Sequence, residues 1–107
     1  MYLLCYDIKD NQLRKKISDK IIYFGLDRIQ YSVYLGKIST SDLQTLLTEM
    51  RQLVASSNYK YRWYIVRLTG QQVKEAINEG TIDTVDTPVI LGEKLFDFAL
   101  NGKNTNT

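Results

Sequence analysis

Apolar side chains follow two rhythms along this chain, and the rhythm changes at glycines and short polar runs. Residues 1–8 (MYLLCYDI) are almost wholly apolar until Asp7, the pattern of a buried strand whose carboxylate emerges near its C-terminal end. Alternation places Leu3, Cys5 and Asp7 on one face. Asp10 and Asn11 offer a helix cap, and Leu13, Ile17, Ile21 and Phe24 recur at helical spacing up to Gly25, a C-terminal stop. Residues 28–36 (RIQYSVYLG) are rich in β-branched and aromatic side chains and read as strand, with Tyr31 and Ser32 marking a bend that can divide it into two. From Ser41, a capping box with Gln44 predicts a second helix with Leu43, Leu46, Leu47, Met50, Leu53 and Val54 as its apolar stripe. Residues 59–68 (YKYRWYIVRL) predict a strand with bulky side chains on both faces, ended by Gly70. Residues 71–79 predict a short helix closed by Gly80, and Val89 to Leu91 after Pro88 predict a short strand. Residues 95–100 fit strand or helix equally, and the apolar-poor ending NGKNTNT predicts a disordered tail over 101–107.

The order strand, helix, two strands, helix, strand is the βαββαβ pattern of a ferredoxin-like α+β sandwich, with both helices on one sheet face and a C-terminal extension able to add a strand. A chain of 107 residues, 44% hydrophobic, fits one such domain over residues 1–100. Apolar residues on both faces of the first and last long strands call for a second cover, and another copy of the chain supplies it at least cost.

Composition narrows the chemistry. With 14 basic and 12 acidic side chains the net charge is only +2, so a basic surface has to come from uneven distribution. A lone cysteine, Cys5, excludes an intrachain disulfide and suits a reducing compartment; with neither a membrane-length apolar run nor a secretory signal, the chain reads as cytoplasmic. Histidine is absent, which removes the commonest general base and zinc ligand and leaves carboxylates with a hard metal as the means for hydrolysis. There is no glycine-rich phosphate loop of either common kind.

Three features carry candidate chemistry, each with a plainer reading beside it. Asp7, ending an apolar strand, must be hydrated, paired or metal-bound; a turn or cap role working with Asp10 is the commoner outcome for such a residue. Mg2+ asks for only one or two carboxylates besides water and substrate phosphates, so one Asp per chain doubled by a two-fold axis suffices. Arg14, Lys15, Lys16 and Lys20 make the first helix basic, a set able to meet phosphates, although such runs usually form a solvated face. Tyr59, Tyr61, Trp63 and Tyr64 crowd one strand, where aromatics serve a core or an interface more often than they stack bases.

Taken together, YDI at Tyr6–Ile8, the basic helix beginning at Arg14, and GLDRIQYSVYLG at Gly25–Gly36 resemble the CRISPR-associated endoribonuclease family Cas2. The family's Q-x-S-V segment falls on Gln30, Ser32 and Val33, with Tyr34 in place of the frequent Phe. The similarity runs through about residue 70, where the last strand lacks the family's proline. The resemblance implies a ferredoxin-like homodimer with Asp7, the match to the family's metal-linked Asp, facing its copy across the axis. It further implies Mg2+ as cofactor, DNA or RNA as ligand, and the CRISPR-associated integrase Cas1 as partner, with no membrane role. Under it the chain is a spacer-acquisition protein, acting as a metal-dependent endonuclease, as a scaffold for the integrase, or as both. Two other readings share features: a virulence-associated protein D type of ribonuclease toxin, with a similar opening, and a non-enzymatic RNA-binding ferredoxin-like module that exposes its aromatic sheet.

Overall fold

The computed structural model describes residues 1–81, and their elements run β1 (Tyr2–Ile8), α1 (Asn11–Tyr23), β2 (Asp27–Gln30), β3 (Val33–Gly36), α2 (Thr40–Ala55), β4 (Tyr61–Arg67) and α3 (Gly70–Glu75). The four strands make one sheet in the order β2-β3-β1-β4, every neighbouring pair antiparallel, so β1 sits inside and β2 and β4 form the edges. This is the expected ferredoxin-like α+β arrangement.

Helix α1 begins where the sequence asks it to. The Asp10 carboxylate accepts from the Leu13 amide at 2.8 Å, a cap worth about 1 kcal/mol. It ends at Gly25, whose φ of +96° is the left-handed turn that glycine adopts without strain. Gly36 is required for a different reason: a Cβ there would stand 3.0 Å from the Leu26 Cα and 3.3 Å from the Gly25 carbonyl, so the end of β3 and the exit of α1 pack backbone to backbone. The bend after Gln30 is real. Ser32 takes φ 66°, and its carbonyl accepts from the Tyr6 amide at 3.0 Å, which ties the β2–β3 turn to the central strand.

Three local readings differ. The second helix is capped by Ser39, whose hydroxyl accepts from the Asp42 amide at 3.1 Å, so α2 starts at Thr40 and not at Ser41, and Gln44 does not act as a box partner. Gly70 opens a helix. Thr69 and Gln72 form the capping box that starts α3, which stops at Glu75, short of Glu79. The predicted strand over Val89 to Leu91, the apolar stretch 95–100, the domain end at residue 100 and the tail 101–107 lie outside the described residues.

The core lies between the sheet and the two long helices. Leu4, Tyr6 and Ile8 of β1 and Tyr34 of β3 meet Leu13, Ile17 and Ile21 of α1 and Leu46, Met50 and Val54 of α2, all at most 8% exposed. Trp63 and Ile65 of β4 pack against this cluster. Registers place Leu3, Cys5, Val33, Leu35, Tyr64 and Val66 on the opposite sheet face, and none of these belongs to the cluster. Tyr64 and Val66 are 58% and 46% exposed there.

Candidate metal and nucleic-acid site

Strand alternation decides where Asp7 goes. Because Tyr6 and Ile8 face the helices, Asp7 emerges on the open face, one residue before β1 ends. Its side chain is 71% exposed and pairs with Lys9 Nζ at 3.3 Å, and its register partner on β4 is Arg62, so two cationic residues flank the carboxylate. Lys9 is itself anchored, its amide donating to the Lys60 carbonyl at 3.2 Å. An exposed ion pair of this kind contributes at most about 1 kcal/mol, so the carboxylate is available to a stronger ligand.

Among the described residues no three acidic or thiol side chains converge. A protomer therefore offers Mg2+ one carboxylate and no all-protein cage. That donor set fits the ion where water and substrate phosphates complete its shell, and two copies of Asp7 fit it better.

The four basic residues of α1 divide. At 100° per residue, Arg14 and Lys15 lie on one side of the buried stripe and Lys16 and Lys20 on the other. Arg14 donates to the Asn11 side chain, and Lys15 pairs with Asp19 at 3.3 Å. Lys16 is exposed, while Lys20 is half-buried against Glu49 of α2 at 2.9 Å and ties the helices together. Asp7 stands on the sheet face away from this helix layer, so the structure does not gather the carboxylate and the basic set into one cluster.

A polar network lies where the apolar stripe of α1 meets β3, and sequence reasoning missed it. Tyr34 donates to Ser18 Oγ at 2.7 Å and lies 3.0 Å from the Tyr6 hydroxyl; Arg28 donates to both Tyr34 and Ser18. Burial of the Tyr6 phenol, reinforced by its bond to Tyr34, pushes its ionisation well above the usual tyrosine range. The one available signal was Ser18, a hydroxyl beside the Leu13, Ile17, Ile21 stripe. The hydroxyl gained by having Tyr34 for Phe is thus fully satisfied. The crowded aromatics of the last strand, by contrast, separate: Tyr61 and Trp63 stack at 4.7 Å on the helix side, and Tyr64 projects from the open face.

The profile of the family described as CRISPR associated protein Cas2 matches residues 1–76, which hold β1 to α3 and every residue of the site. The chain belongs to the Cas2 family. Among Cas2 relatives, the CRISPR-associated endoribonuclease Cas2 2 of Pyrobaculum aerophilum is 34% identical over 59 residues, 54% of this chain and 65% of that protein. The CRISPR-associated endoribonuclease Cas2 3 of Synechocystis is 34% identical over 64 residues, 60% of this chain and 68% of that protein. A protein of Thermoproteus tenax named as a fusion of the endonucleases Cas1 and Cas2 is 34% identical over 59 residues, 54% of this chain and 22% of that protein. The matched stretch thus spans about two thirds of the two stand-alone relatives. No helix among the described residues is long and apolar enough to cross a membrane.

Proposed function

We propose that the chain works in CRISPR spacer acquisition as a homodimer joined through the open sheet face, with paired Asp7 carboxylates that take Mg2+ and direct hydrolysis of a phosphodiester in RNA or DNA. The same dimer serves as a scaffold for the Cas1 integrase. The observation that carries the reading is the position of Asp7, exposed at the rim of an apolar sheet face and flanked by Lys9 and Arg62. Family membership supports it, as do the endoribonuclease names of the relatives and the fusion that joins a Cas2 segment to Cas1 in one chain. Those names favour this reading over a toxin of the virulence-associated type or a base-stacking module. Partner and duplex together would meet the protein in the cytoplasm.

Chemically, two carboxylates near a symmetry axis repel, and a divalent cation relieves that repulsion. Bound Mg2+ supplies Lewis-acid polarisation of a phosphoryl oxygen and of the attacking water. The chain's own part is positional. Asp7 holds its charge at the strand end, and Lys9 and Arg62 offer compensating charge to an incoming phosphate.

Asp7→Asn keeps the side-chain shape and removes the charge. In the purified full chain it is expected to abolish magnesium-stimulated cleavage of RNA and duplex DNA while leaving dimer mass and integrase binding unchanged. Cleavage at the parental rate by the Asn variant would place the activity elsewhere. Absence of cleavage by both proteins, with duplex and integrase still bound, would leave the scaffold role standing alone.

A further inference from the structure

Between one side of α1 and the β2–β3 turn lies a groove of about 690 Å³, within the range of roughly 300–1,000 Å³ common for small-ligand sites. Arg14 and Lys15 line one wall, Arg28 and Tyr31 the other, and Tyr6 and Ser18 lie between them. The wall at the turn is built to hold an aromatic face outward. The Tyr31 ring is 68% exposed, although Ser32 after it and Arg28 three residues before it are pinned: the Ser32 carbonyl accepts from the Tyr6 amide, and Arg28 is fixed through Tyr34 and Ser18. The Arg28 guanidinium carbon lies 5.8 Å from the Tyr31 ring centroid, a cation–π distance that orients the ring without burying it. Ser32 adopts its left-handed backbone at this same corner. A large aromatic held exposed beside a planar cation, opposite basic side chains, is the arrangement on which a nucleobase stacks irrespective of its identity.

We propose that this groove takes an unpaired nucleotide of a nucleic-acid strand, with its base stacked on Tyr31 and its phosphate facing Arg14 and Lys15. The proposal rests on the nucleic-acid reading above and adds to it a site distinct from Asp7, on the helix side of the molecule. Asp19 and Asp27 also line the groove, with Asp19 paired to Lys15, so the positive charge is partly offset and stacking contributes more than charge. The exposed Lys15–Asp19 pair is weak enough for a phosphate to displace. Paired bases in an intact duplex have no free face to offer, so the groove discriminates frayed, flipped or single-stranded segments from closed duplex.

The test uses the full chain with short single-stranded RNA and DNA oligonucleotides carrying one central 2-aminopurine, beside a blunt duplex of the same sequence. The parent and Tyr31→Phe are expected to quench the 2-aminopurine on binding, and the RNA and DNA arms show which strand the groove prefers. Tyr31→Leu is expected to lose the quench and to weaken single-strand binding by roughly tenfold while leaving duplex binding within about twofold. Since Tyr31 is mostly exposed, its circular dichroism and melting should match the parent. Equal single-strand affinity in parent and Tyr31→Leu overturns the proposal, as does an equal loss for single strand and duplex. A parent that binds duplex and no single strand overturns this proposal alone; a parent that binds no nucleic acid overturns the broader reading with it.

Discussion

Tyr6 places a phenol between the sheet and α1, 8% exposed, and satisfies it on the Tyr34 hydroxyl. Burial first, and that bond second, favour the neutral form, which raises its ionisation above the ordinary value of 10.0. A raised folded-state value adds stability that is fully present below the ordinary value and is lost as pH climbs through the folded one. Urea midpoints between about pH 8 and pH 11.5 should therefore fall more steeply for the parent than for Tyr6→Phe, which keeps the ring and lacks the proton. Parallel decline in the two proteins would remove Tyr6 from the alkaline transition. At this scale the sequence is uneven. Asp7 was legible, since alternation in a short strand dictates which face a side chain takes. The network of Ser18, Arg28 and Tyr34 was not, because its members stand 10 and 16 positions apart and meet only through tertiary packing.

Helix α1 shows what an element adds to a list of charges. Four basic residues read as one cluster along the chain, yet the helical turn sends Arg14 and Lys15 toward the groove and Lys16 and Lys20 to the other flank, where Glu49 already neutralises Lys20. Neutralising Arg14 and Lys15 together should lower the salt dependence of duplex binding by up to about two units of log–log slope, and neutralising Lys16 and Lys20 should lower it by less. The check is a binding isotherm at several salt concentrations. A slope unchanged after all four are neutralised would make the helix a bystander. The caps of α1 were legible because Asp10 and Gly25 each have one plausible partner. At α2 two serines two residues apart compete, and the Ser41–Gln44 spacing pointed to the wrong one. At α3, Gly70 read as a stop hid the Thr69–Gln72 box that makes it a start.

For the whole molecule, the βαββαβ order was enough to place both long helices on one sheet face, and bulky residues on both sides of β1 and β4 foretold that the second face would not be polar. Sequence alone could not say how far Asp7 and the basic helix lie apart, since that depends on which face each strand residue takes. In the proposed dimer the site would be complete only when two open faces meet: Leu3, Cys5, Tyr64 and Val66, which share that face, would supply the contact, and each chain would contribute one Asp7. Contacts of this kind are largely apolar and lose little to screening, so the pair should hold at moderate salt. The most direct measurement is the light-scattering mass of the full chain at micromolar concentration, at low and at moderate salt, beside a Val66→Glu variant that puts a charge on the β4 side of this face. The parent should weigh twice the 12.4 kDa of one chain under both conditions and the variant should weigh 12.4 kDa; a parent that is monomeric throughout would contradict the account.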